Sequence, residues 1–132
     1  MRDGMLDLAA PVLLIDDDED SRVMYRTILT HAGIEVVTLS DGGDGLEVAR
    51  ALKPSVVLLD VGVPATSGLE VVQGLRNDSS LSETAVIALT ASVLKEEQQQ
   101  LADAGCHAVL MKPIEPTTVL SAVVDAIAGL EA

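Results

Sequence analysis

Short apolar runs recur along the chain at regular intervals. They are Val12-Leu13-Leu14-Ile15, Val36-Val37, Val56-Val57-Leu58-Leu59, Ala85-Val86-Ile87-Ala88-Leu89 and Ala108-Val109-Leu110-Met111. Most of their residues are β-branched or Leu, and they do not alternate with polar positions. Strands of a parallel sheet covered on both faces read this way. The stretches between them are amphipathic. Leu120, Val123, Val124 and Ile127 fall at i, i+3, i+4 and i+7, one stripe of a last helix. Met24 with Ile28 and Tyr25 with Leu29 form i, i+4 pairs on a first helix. Leu69 with Val72 at i, i+3 and Val71 with Leu75 at i, i+4 do similar work on a third. Gly33 and Gly105 stand where helices end. Ser67 and Glu70 have capping-box spacing, Pro54 closes the second helix, and Pro116 suits a first helical turn. The pattern predicts an α/β fold of (βα)5 type: a doubly wound parallel five-stranded sheet, order 2-1-3-4-5, with helices on both faces. Residues 1–10 read as an N-terminal extension and 11–132 as one domain.

Composition narrows the function. The chain has 132 residues, enough for one domain, and 48% are hydrophobic. Its formal charge of −13 repels phosphate backbones and anionic lipid, so direct binding to nucleic acid or membrane is not expected. With one Tyr and no Phe or Trp, it has no platform for stacking bases. A single cysteine makes neither an internal disulfide nor a multi-Cys zinc site, which suits the cytoplasm. The N-terminal residues lack the apolar stretch of a signal peptide, and the apolar runs are far too short to span a bilayer.

In such a sheet, ligands bind beyond the carboxyl ends of the strands. Strand 1 ends at Asp16-Asp17, strand 3 at Asp60 and strand 4 at Thr90, while strand 5 runs into Lys112-Pro113. Three carboxylates held together repel one another unless a cation sits among them. Hard oxygen ligands beside a phosphate-binding group suit Mg²⁺. Lys112 offers a point charge to a phosphoryl oxygen, Thr90 a hydroxyl, and Gly62 and Ala91 open backbone N–H groups. Together they describe a phosphoryl site around a carboxylate able to act as nucleophile.

Those same segments carry a resemblance. Leu13-Leu14-Ile15-Asp16-Asp17-Asp18, Val57-Leu58-Leu59-Asp60-Val61-Gly62-Val63-Pro64 with Gly68, Ala88-Leu89-Thr90-Ala91 and Lys112-Pro113 resemble the receiver domain of two-component response regulators, from about Val12 to about Leu130. The resemblance implies that Asp60 is the phosphoacceptor. It implies that Asp16, Asp17, Asp60 and the Gly62 carbonyl hold Mg²⁺, and that Thr90, Lys112 and the Gly62 and Ala91 backbone contact the phosphoryl group. The Lys112–Pro113 bond is then expected to be cis. The donor would be a histidine kinase or histidine phosphotransfer protein. A downstream protein effector would read the face of helix 4, strand 5 and helix 5. Either a stand-alone receiver or one excised from a larger regulator or hybrid kinase fits. Two departures stand out. Val109 holds the place where the family often has an aromatic switch residue, and Ser67 holds that of an acid before the glycine.

Other readings of the same residues exist. A phosphorylation-independent interaction module of the same fold would lose Asp60, Lys112 or the acid pair, and all are present. A Mg²⁺-dependent phosphatase of the D-x-D type would need an acid where Gly62 stands. The acids at 16–20 mimic a calcium loop, but Ser21 and Thr27 occupy its glycine and glutamate positions. Asp18, Glu19 and Asp20 also suit the acidic start of a helix. Cys106 reads as a packed small residue, His31 and His107 as surface residues, and the segment from Glu96 to Gln100 as a solvated helix face.

Overall fold

The computed structural model describes residues 10–62 and 68–131. Strands and helices alternate: β1 (Val12–Ile15), α1 (Glu19–His31), β2 (Val36–Leu39), α2 (Gly45–Leu52), β3 (Val56–Asp60), α3 (Gly68–Asn77), β4 (Ala85–Thr90), α4 (Lys95–Asp103), β5 (Ala108–Met111) and α5 (Pro116–Glu131). All pairings are parallel and the order is β2-β1-β3-β4-β5, as the apolar runs predict. The turning point of the winding lies between β1 and β3, which pair from Val12 with Val56 to Ile15 with Leu59.

Side chains of β1, β3 and β4 alternate between two cores. Leu14, Leu58 and Ile87 face α1 and α5, meeting Tyr25, Leu29, Val119, Val123 and Ile127. Leu13, Leu59 and Val86 face α2, α3 and α4, meeting Ala49, Val72, Leu75 and Leu101. Each fully buried Leu or Ile contributes roughly 1.5–3 kcal/mol relative to an exposed one. The stripe on α5 is rotated from the expected one. Val119, Val123, Ala126 and Ile127 are buried, and Leu120 and Val124 lie at its half-buried margin. This helix is apolar over most of its surface, so periodicity alone leaves its angle open. On α1, Tyr25 and Leu29 are buried whereas Met24 is exposed.

Helix ends follow local chemistry. Gly33 and Gly105 have φ of 90° and 114°, in the left-handed region that favours glycine. Gly68 opens α3 so close to Val61 that any Cβ there would collide with the Val61 backbone. The proposed Ser67 cap and the Val63-Pro64 segment lie outside the described residues, as do residues 1–9 of the extension.

Candidate functional site

The strand ends bring the acids together. Asp16 and Asp17 follow β1, Asp60 ends β3, and carboxylate oxygens of all three lie within 4.8 Å of one another. That spacing would let the three acids share one small divalent ion. Asp16 is fully buried and Asp60 nearly so, whereas Asp17 is exposed at the mouth.

Each carboxylate is held differently. Asp16 Oδ1 accepts the Asp18 backbone N–H at 2.9 Å, while its Oδ2 is buried without a hydrogen-bond partner among the described residues. A buried carboxylate oxygen without a donor is costly, and a cation relieves it. Burial drives the Asp16 carboxyl up to about 6; the Asp18 N–H opposes this, and the charge and hydrogen bonding of Asp60 add to it. The donor set, its spacing and the orphaned oxygen fit a small hard divalent ion.

Asp60 is gripped on both oxygens. Its Oδ1 accepts the Gly62 N–H at 2.9 Å, and its Oδ2 accepts from Lys112 Nζ at 2.8 Å. Burial pulls the Lys112 ammonium down, but the hydrogen bond and charge of Asp60 outweigh it and leave its pKa raised. Lys112 therefore stays protonated and partly offsets the crowded negative charge. The Lys112–Pro113 bond is cis, as expected.

Thr90 ends β4 and is buried. Its Oγ1 accepts the Ser92 N–H at 3.0 Å, and its carbonyl accepts the Lys112 N–H at 2.7 Å. The threonine and the lysine are thus joined through backbone, and the Thr90 hydroxyl is engaged by its own loop. Ala91 is exposed and lines a hollow with Tyr25, Lys112 and Pro113. Gly62 is exposed, and a Cβ built on it would lie 3.4 Å from Asp60 Oδ1.

Two residues near the site escape sequence reading. Arg22 on α1 donates from Nη1 to the Asp16 carbonyl at 2.7 Å, pinning the β1 end. Gln98 was expected on a solvated face, yet it is half-buried and donates to the Ser92 carbonyl at 3.0 Å and to Met111 Sδ at 3.4 Å. A single polar position on a polar helix carries no signal of a nonlocal partner. Asp18 proves to be a helix cap: its carboxylate accepts from the Ser21 N–H at 3.1 Å and the Ser21 hydroxyl at 2.7 Å. Cys106 packs against the core, and burial pushes its thiol up to about 11, far from a reactive thiolate. His31 and His107 are exposed.

The sequence pattern of the response regulator receiver domain matches residues 12–124. The chain is similar to the polar-differentiation response regulator DivK of Brucella anthropi, with 33% identity over 103 residues, 78% of this chain and 84% of that protein. It is also similar to the chemotaxis response regulator CheY4 of Vibrio cholerae, with 32% identity and a TM-score of 0.82 over 89% of this chain and 98% of that one. A CheY-like receiver from Methanospirillum hungatei shares the fold at 24% identity, with a TM-score of 0.86 over 93% of this chain and 97% of that one. Among the described residues, no helix is long and apolar enough to cross a membrane.

Proposed function

Because the chain belongs to the response regulator receiver family, a component of two-component signalling, we propose that it is a phosphoacceptor switch with Asp60 as the acceptor. The observation that carries this reading is the grip on Asp60: Lys112 on one oxygen, the Gly62 amide on the other, and two further acids within 4.8 Å. In the reaction, an Asp60 carboxylate oxygen attacks the phosphorus of a phosphohistidine on a histidine kinase or histidine phosphotransfer protein. A P–O bond forms as the P–N bond breaks, and the bonding electrons leave with the imidazole nitrogen. The product is an acyl phosphate on Asp60.

Asp16, Asp17, Asp60 and the Gly62 carbonyl would hold Mg²⁺, which when bound neutralises charge developing on the phosphoryl oxygens. Lys112 moves from the free carboxylate to a phosphoryl oxygen and keeps its proton. Thr90 donates its hydroxyl to another, and the Gly62 and Ala91 amides add donors. The exposed Gly62 leaves water a path to the acyl phosphate. Drawing Thr90 inward shifts the population toward a second conformation, read by a downstream effector on the α4-β5-α5 face. Residues 11–132 would form the receiver and 1–10 an extension, with the protein working in the cytoplasm.

The test is incubation with acetyl phosphate and Mg²⁺, followed by intact mass. One added phosphoryl group, absent in Asp60→Ala and absent with a chelator, is the expected result. An unmodified wild type, or full labelling of Asp60→Ala, would overturn the proposal. The leading alternative, an interaction module indifferent to phosphorylation, predicts no added mass.

A further inference from the structure

The place of an aromatic switch on β5 is held by Val109, half-buried against the core facing α4. A β-branched side chain is stiff at χ1 and carries no polar tip. It has no large group to swing between two positions. Any message from Thr90 to the α4–β5 face needs another carrier.

A continuous hydrogen-bonded route runs there. Thr90 Oγ1 accepts the Ser92 N–H at 3.0 Å. The Ser92 carbonyl accepts from Gln98 Nε2 at 3.0 Å, and the same amide group reaches Met111 Sδ at 3.4 Å. Ser92 Oγ accepts the Leu94 N–H at 3.2 Å, tying the loop to the start of α4. Met111 pairs with Thr90 across β4 and β5 and is 49% exposed. Val93 and Leu94, at 75% and 51% exposed, follow Ser92 in the same loop. The Gln98 side chain thus clamps the loop after the threonine to a methionine on the neighbouring strand.

We infer that Gln98 is a positioning residue that couples the Thr90 loop to Met111, doing the work the missing aromatic would do. The inference rests on the phosphoacceptor reading. When the Thr90 hydroxyl turns to a phosphoryl oxygen, its oxygen withdraws from the Ser92 N–H. Ser92 must follow or lose its acceptor, and its carbonyl moves with it. The Gln98 amide then loses one of its two partners, the sulfur being a weak acceptor. Met111 is released, and the exposed loop carrying Val93 and Leu94 moves with Ser92. Before phosphorylation the same clamp holds that loop in one arrangement.

The experiment uses the full chain with ¹³C-methyl methionine. Met24 lines the hollow beside Lys112 and reports on the site itself, while Met111 reports on the far end of the route. Spectra are recorded with Mg²⁺ before and after beryllofluoride, a stable phosphoryl mimic, and acetyl phosphate labelling is followed by mass. In wild type both methyl signals move. In Gln98→Ala and in the isosteric Gln98→Glu, which lacks the donor, labelling and the Met24 response stay within about twofold, while the Met111 response falls at least about threefold. A full Met111 response in both variants would overturn the inference. Loss of labelling in both would also overturn it, by placing Gln98 in the chemistry. A wild type that neither labels nor shifts Met24 would sink the phosphoacceptor reading, and this one with it.

Discussion

The two ends of the route from Asp60 to Met111 are built on opposite principles. At the strand tips, three carboxylates and one ammonium converge, with Asp16 fully enclosed, Asp60 nearly so and Asp17 exposed at the mouth. Their charges crowd one another and hold the metal-free pocket in an unfavourable electrostatic state. On the α4–β5 face, contacts are few, half-exposed and close to neutral: an amide, a carbonyl and a thioether. There the fold sacrifices little when a bond breaks. The contrast separates chemistry from signalling. The pocket crowds like charges that a bound cation would relieve, and the face has few contacts to break when the strand tips change.

The largest expected difference concerns the cation. If Asp17 holds the ion as proposed, Asp17→Ala removes a ligand, and Mg²⁺ affinity is expected to fall by about 100-fold or more, above the range typical of outer-shell changes. Titration calorimetry measures this. Gln98→Ala, on the other side of the comparison, is expected to leave Mg²⁺ affinity within about twofold of wild type.

Next in size is a pH effect. Asp16 has a folded-state pKa pushed from 3.8 to about 6, chiefly by burial. Between those values the folded protein binds more protons than the unfolded chain. Metal-free stability is therefore highest at or below pH 4 as far as this group is concerned, and falls as pH rises through 6, by up to about 3 kcal/mol. Urea unfolding with a chelator checks the slope. Saturating Mg²⁺ is expected to oppose it, because the ion binds the charged form. Asp16→Asn removes the charge and is expected to flatten the slope and raise metal-free stability at pH 8 by about 2 kcal/mol. A wild-type profile that rises through pH 6 without metal would show that the pocket is not strained.

A smaller change of the opposite sign follows at Lys112. Lys112→Met removes the cation that hydrogen-bonds Asp60 among the described residues. Metal-free stability at pH 8 is expected to fall by about 1–3 kcal/mol, since a mostly buried carboxylate is left without its partner. Combined with Asp16→Asn the loss is expected to shrink, because the two groups share one field. The smallest effect is at the face. Met111→Leu preserves volume at a half-exposed position and is expected to change stability by less than about 0.5 kcal/mol while leaving covalent labelling of Asp60 intact.

Much of the pocket was legible because it is made by strand ends. A short β-branched run marks where a strand stops, and a parallel sheet lines those stops along one edge. Asp16, Asp60, Thr90 and Lys112 needed no further information to be brought together. Gly33 and Gly105 were legible for an equally local reason, their positive φ. What escaped depends on long side chains reaching across the fold. Arg22 touches the Asp16 carbonyl, Gln98 touches Met111, and Arg76 on α3 donates to the carbonyls of Leu81 and Thr84. Their partners lie on other elements, and nothing in a periodic pattern names them. The face of α5 escaped because Val119, Leu120, Val123, Val124, Ala126 and Ile127 leave several apolar stripes to choose from. Only packing against α1 and the sheet selects one.

The proposed function stands or falls on an acyl phosphate forming at Asp60. Borohydride reduces an acyl phosphate to an alcohol, which turns a phosphorylated aspartate into homoserine at the same position. Treatment with acetyl phosphate and Mg²⁺, then borohydride, digestion and tandem mass sequencing, reads the site directly. Homoserine is expected at residue 60, and none when Mg²⁺ is chelated. Homoserine at another acid, or none at all under conditions where Mg²⁺ binds, would contradict it.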